Sequence, residues 1–183
     1  MRPHFICNTM ASIYVLCRRD PERAAQVVMD FTTYLRKNFD AVASAEPIPF
    51  ASELEHTRAH LAVEQAQHPK SLLVDYDTPH TLFRVPPLTL QPVVENAVRH
   101  DRDPYKGPLH VSIKTRGTAT GSEVTVSDDG HGLDPKDDGG PHVALRNTRQ
   151  RLELMCAGTL AVTAGDEGGT RVTVTIPDAP SGS

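Results

Sequence analysis

The strongest constraint in this chain lies at Leu88–His100, Leu-Thr-Leu-Gln-Pro-Val-Val-Glu-Asn-Ala-Val-Arg-His. The stretch begins apolar and ends in a polar cluster. Read as a helix, it places Pro92 in the first turn, where a missing N–H costs nothing. Val93, Val94, Ala97 and Val98 supply an inner face. Glu95 and Arg99 are four apart, as are Asn96 and His100, so each pair sits on adjacent turns. An amide oxygen, a guanidinium and an imidazole gathered at one helix end suit a metal–polyphosphate: Asn offers a hard neutral oxygen to Mg²⁺, and Arg offers charge to phosphate oxygens. An ordinary amphipathic helix with a polar end carries the same pattern, so this stretch alone does not decide.

The second half of the chain adds an ordered set of signals. Val124–Leu133 reads as a strand running into Asp128-Asp129-Gly130-His131-Gly132, followed by Leu145-Arg146-Asn147 and then Gly168-Gly169-Thr170 before a last strand. An Asn helix, Asp-x-Gly-x-Gly and Gly-Thr in this order resemble the ATP-binding domain shared by gyrase, heat-shock chaperones, histidine kinases and MutL, the GHKL type. Within it, Leu90–His100 is similar to LytS/YehU-type sensor histidine kinases. Their phospho-acceptor motif reads Asn-Pro-His-Phe-Leu-Phe-Asn, and this chain opens with Arg2-Pro-His-Phe-Ile-Cys-Asn8. The resemblance covers residues 2 to about 178.

Length and composition bound the remaining choices. The 183 residues allow one or two small domains. A net charge of −4 gives no sign of a nucleic-acid surface. Three cysteines without CxxC spacing point to a reducing compartment. No apolar run approaches the roughly 20 residues that span a bilayer. The expected location is cytoplasmic. By the resemblance the expectation is either the output part of a longer protein, tied to a membrane only through a region upstream, or a gene product that has lost its sensor.

In chain order, residues 4–18 read as a helix with Ile6, Met10, Ile13 and Cys17 in one stripe. His4 then points roughly 150° away from that stripe, toward solvent. Asp20-Pro21 caps a second helix, on which Ala24, Val28, Phe31 and Leu35 repeat the spacing. Two such stripes make an antiparallel hairpin too small to bury much alone. Pairing with a second copy in a four-helix bundle completes it, as in the kinases it resembles. Residues 41–51, rich in Ala and Pro, read as a linker. Ser52-x-x-Glu55 is a capping box opening a helix to about Gln67. His56, His60 and Glu64 on it have metal-compatible spacing, but a solvated polar face is the favoured reading. Leu72–Asp77 and Leu109–Ile113 read as strands, Gly117–Ser122 as a turn, and Val143–Cys156 as a helix with Ala144, Thr148, Leu152 and Met155 inward. Leu160 with Val162, and Val172, Val174 and Ile176, form a last hairpin across Gly165–Gly169. The class is α+β. A helical phospho-acceptor and dimerisation hairpin (residues 1–45) precedes a GHKL-type α/β sandwich that binds ATP (46–178), with a disordered tail at 179–183.

The resemblance assigns chemistry residue by residue. His4 is the phospho-acceptor. Asn96 binds Mg²⁺, and Arg99 and His100 meet phosphates. Asp128 accepts a hydrogen bond from the exocyclic amine of adenine; guanine would oppose it with a carbonyl. Gly130 and Gly132 let the backbone approach base and ribose, and Thr170 backs the adenine. Gly140, Val143, Ala144 and Leu145 match a second glycine box at a helix start, where bare amides wrap phosphates. That box departs from the family: His142 and Ala144 stand where it has glycines. The implied activity is ATP-dependent autophosphorylation and transfer to an aspartate of a response-regulator receiver domain, in a homodimer. The altered box favours a rival reading, a degenerate, non-catalytic nucleotide-binding and dimerisation module. A gyrase-like hydrolase needs a carboxylate one turn before the Asn; Pro92 occupies that place.

Overall fold

The structure is a computed structural model and describes residues 3–43, 46–67, 71–99, 107–132, 141–166 and 168–178. Helix α1 (Pro3–Arg19) and helix α2 (Pro21–Ala43) form the predicted hairpin. Asp20 caps α2, its Oδ1 accepting the N–H of Arg23 at 3.1 Å. A two-residue strand, β1 (Ile48–Pro49), leads into α3 (Phe50–Gln67). The predicted linker at 41–51 is therefore shorter: α2 runs into it from one side and α3 from the other. The capping box at Ser52 and Glu55 is not the start of α3, which begins two residues earlier, where the Phe50 N–H donates to the carbonyl of Phe83.

Next come β2 (Leu72–Asp77), β3 (Arg84–Val85), α4 (Leu90–Arg99), β4 (Leu109–Thr118), β5 (Gly121–Asp128), α5 (Pro141–Cys156), β6 (Thr159–Ala164) and β7 (Thr170–Pro177). β1 pairs with β3 in a small ribbon. The main sheet has the order β2-β4-β5-β7-β6, parallel between β2 and β4 and antiparallel elsewhere. The turn between β4 and β5 is tighter than Gly117–Ser122, since both strands run on to Thr118 and Gly121. Period two sends Leu109, Val111 and Ile113, Val124 and Val126, and Val172, Val174 and Ile176 to one face. There they share a core with Leu54 and Leu61 of α3, Val93 and Val94 of α4, and Leu145 and Leu152 of α5.

The hairpin has its own small core of Phe5, Phe31 and Tyr34, closed by Val63 of α3. Its packing faces sit about one residue from the predicted stripes. Phe5 and Thr9 on α1 and Ala24, Val27, Phe31 and Tyr34 on α2 are buried, whereas Met10 is 47% and Val28 42% exposed and Cys17 is exposed. Both helices carry apolar residues on two adjacent faces, and α3 takes one of them. For the same reason the polar-face reading of α3 fails. His56 and His60 are buried, their rings tilted against Tyr34 at 5.3 and 5.2 Å between centroids.

Candidate nucleotide-binding site

Helix α4 is the element that the site is built on. Val93, Val94, Ala97 and Val98 are buried as the spacing predicts, and the helix lies on the sheet beside β5. Asn96 is buried among them, and its side-chain oxygen has no hydrogen-bond partner among the described residues. Leaving such an acceptor unmade costs about 1–3 kcal/mol, a cost that a ligand at that atom removes.

The start of α4 is held from outside. The Glu53 carboxylate of α3, 1% exposed, accepts the N–H groups of Leu88 (3.2 Å), Leu90 (3.0 Å) and Gln91 (3.4 Å). These are the donors that a helix leaves unpaired in its first turn. Leu88 has φ +56°, a left-handed conformation that costs a leucine about 1–2 kcal/mol. Its N–H goes to Glu53, and its carbonyl accepts from Arg151 of α5 at 2.8 Å. α3 and α5 thus clamp the residue that aims α4. Burial pushes the Glu53 carboxyl above its ordinary 4.5, while the three N–H donors and the Arg151 charge pull it partly back.

Asp128 ends β5 on the same face as Val124 and Val126 and is buried, 6% exposed. The β5–β7 register, whose last pair is Ser127 with Arg171, brings Thr170 beside it. Asp128 Oδ1 accepts the N–H of Gly130 at 3.0 Å and of Thr170 at 3.2 Å. The carboxylate is thereby fixed as an acceptor at the mouth of the core. Gly169, at φ +70°, packs so closely that a Cβ there would lie 2.0 Å from the Asp128 carbonyl oxygen. Gly132, at φ +84°, faces the Gly169 carbonyl. The Thr170 hydroxyl is buried with no partner among the described residues.

Asn96, Asp128, Gly130, Gly132 and Thr170 are therefore held by α4 and by two adjacent strand ends beneath it. The Arg99 and Val143 side chains, and His100 and Gly140 entirely, lie outside the described residues, as does the His4 side chain at the start of α1. Ala144 is half-buried, and its carbonyl accepts the Thr148 hydroxyl at 3.1 Å. The Leu145 side chain belongs to the core, which leaves only its backbone for a nucleotide. Sequence reasoning missed Glu53, Arg151 and the packing role of Gly169; the Gly-Gly-Thr run was a signal for the last. The Asn96 and Thr170 oxygens, without partners among the described residues, and the fixed Asp128 carboxylate are groups of the kind that a nucleotide site uses. Among the described residues no group of three or more His, Cys, Asp or Glu side chains is placed to hold a metal ion. The Asn96 side-chain oxygen is a hard neutral donor of the kind that Mg²⁺ takes together with substrate phosphates.

Comparison with known proteins decides the family. The model described as "Histidine kinase-, DNA gyrase B-, and HSP90-like ATPase" matches residues 88–180, and the one described as "Histidine kinase" matches residues 1–72. The chain belongs to the sensor histidine kinases. This histidine kinase is 31% identical to the sensor histidine kinase YpdA of Escherichia coli over 187 residues, covering 97% of this chain and 33% of that protein. It is 29% identical to the sensor protein LytS of Staphylococcus saprophyticus, covering 97% of this chain and 32% of that protein. The kinase chain thus spans about a third of the length of these relatives. Its fold matches the histidine kinase domain of the blue-light activated histidine kinase EL346 from Erythrobacter litoralis, with TM-score 0.56 and 20% identity over 91% of this chain and 84% of that one. It also matches the ATP binding domain of PrrB from Mycobacterium tuberculosis, with TM-score 0.54 and 22% identity over 74% and 98%. Membership of this ATPase family implies use of ATP, and the non-catalytic module is the less favoured reading.

Proposed function

We propose that this chain is the catalytic core of a two-component system, which phosphorylates itself on His4 from ATP and passes the phosphoryl group to an aspartate of a receiver domain. The observation that carries this reading is the buried, unpartnered Asn96 oxygen on a helix laid beside the strand that ends in Asp128. In this reading Asp128 and Thr170 select adenine, Gly130 and Gly132 admit the sugar, and Arg99, His100 and the amides from Gly140 through Val143, Ala144 and Leu145 hold the phosphates. Asn96 would hold Mg²⁺, which would supply positive charge against the phosphates. A neutral ring nitrogen of His4 attacks the γ-phosphorus; the N–P bond forms, the bond to the β-phosphate oxygen breaks, and ADP leaves with the electron pair.

The division of labour falls at about residue 45, with the hairpin before it and the ATP-binding unit over 46–178. The hairpin pairs with a second copy through Met10, Tyr14, Val15, Val28 and Met29. These are 47%, 63%, 46%, 42% and 64% exposed, and α3 leaves them uncovered. Among the described residues no helix is long and apolar enough to cross a membrane. Incubation with Mg²⁺ and γ-labelled ATP tests the reading. It predicts acid-labile, alkali-stable label that is lost in His4→Gln. Nucleotide binding without label would favour the non-catalytic module, and steady phosphate release a hydrolase.

A further inference from the structure

Phe5, the residue after the proposed acceptor, is seated among three rings. Its ring meets Tyr34 edge-on at 5.1 Å, His60 at 4.9 Å and Phe31 at 6.1 Å between centroids. Tyr34 of α2 is 1% exposed, and its hydroxyl reaches out of the hairpin to accept from the Gln91 side-chain amide at 3.1 Å. Gln91 is on the first turn of α4 and 4% exposed. The same amide nitrogen donates to Glu95 Oε1 at 2.7 Å, and Glu95 immediately precedes Asn96. The backbone N–H of Gln91 is meanwhile held by Glu53. A continuous line of contacts thus runs from the neighbour of His4 to the neighbour of Asn96 through Phe5, Tyr34, Gln91 and Glu95. The line crosses the junction between hairpin and sheet unit through a single buried amide, whose oxygen has no partner among the described residues.

We propose that Tyr34 and Gln91 are positioning residues: their hydrogen bond seats the acceptor hairpin on the Asn96 helix, and it sets the rate of transfer to His4 without setting nucleotide affinity. The kinetic part rests on the histidine kinase reading. Phe5 fixes the backbone one residue from the acceptor, and small misplacements of a reacting group are costly. The Tyr34 ring holds Phe5 by packing, while its hydroxyl fixes that ring to α4. Removing the hydroxyl leaves the aromatic cluster filled and frees the link to Gln91.

The test is Tyr34→Phe, Gln91→Leu and the double variant in the full chain. Autophosphorylation is measured at saturating Mg²⁺–ATP, and affinity is measured with a fluorescent trinitrophenyl-ATP. Each single variant is expected to lower the rate about five- to tenfold, the effect of one hydrogen bond, with affinity within about twofold. The double variant should be no slower than Gln91→Leu, because that change already removes the link to Tyr34 along with the bond to Glu95. Rate losses that multiply, affinity lost in step with rate, or a faster Tyr34→Phe kinase would each overturn the proposal. Amide exchange gives a second arm that needs no activity. Tyr34→Phe should speed exchange at Phe5 to Met10 about five- to tenfold and leave the sheet unchanged. A wild type that takes no label while exchange responds would leave the seat standing and sink the kinase reading; unchanged exchange would sink the seat.

Discussion

The hairpin and the sheet unit solve the same problem with unequal means. The sheet unit closes a core from five strands and three helices, with Ile113, Val93, Val94 and Leu152 at 1% exposure or less. Among the described residues the hairpin buries a smaller set, Phe5, Thr9, Ala24, Val27, Phe31 and Tyr34, closed by Val63 of α3, and leaves Tyr14 and Met29 more than half exposed. Burial of apolar area is the dominant favourable contribution to folding. The sheet unit therefore holds its site rigidly by itself, while the hairpin stays dependent on what it docks against. That asymmetry suits a kinase in which a fixed nucleotide site must meet a nucleophile carried on a less anchored element.

The comparison can be broken most directly in the sheet core. Leu152→Ala should cost about 2–5 kcal/mol by urea denaturation, whereas Met29→Ser, on the exposed hairpin face, should stay within about 0.5 kcal/mol at a concentration where the chain is monomeric. Equal losses would mean that the two regions are not unequal. A smaller effect is expected at the site. Asp128→Asn presents a donor where adenine needs an acceptor, so ATP affinity should fall about 10- to 100-fold, with GTP hardly affected. Calorimetric titration with both nucleotides checks this, and equal losses would remove Asp128 from base selection. Next, Met29→Glu should weaken self-association about tenfold or more, read as a concentration-dependent mass by light scattering. An unchanged mass would place the dimer face elsewhere.

The smallest effect concerns Glu53. Its folded value is raised above the ordinary 4.5 by burial, so the folded state binds more protons than the unfolded chain in that window. Stability from this group is complete below about 4.5 and is lost as pH climbs through the raised value. Glu53→Gln should flatten that decline in denaturation midpoints measured across the acidic range. A variant that keeps the wild-type slope would contradict the assignment.

Much of this asymmetry was legible in the sequence, but not evenly. Strands announce themselves by period two, and Val111, Val126 and Val174 fell on the inner face as their spacing requires. The placement of Asn96, Asp128 and Thr170 followed from motif order. The hairpin registers shifted because Phe5 and Ile6, and Val27 and Val28, put apolar groups on neighbouring faces; only the docking of α3 decides between them. Its docking also buried His56 and His60, which a single helix cannot foretell. Glu53 was illegible because its partners lie 35 to 38 residues away, while a local capping-box pattern competed for the same turn.

The most direct test of the account is to map the phosphate. The intact chain, incubated with Mg²⁺ and ATP and digested at alkaline pH, is fragmented by mass spectrometry to locate the added phosphoryl group. The account predicts one phosphate, on the imidazole of His4, absent when Asp128 is replaced by Asn and ATP is held below saturation. Phosphate on any residue of 46–178, or none while nucleotide binds normally, would contradict a division in which the sheet unit holds the nucleotide and the hairpin carries the acceptor.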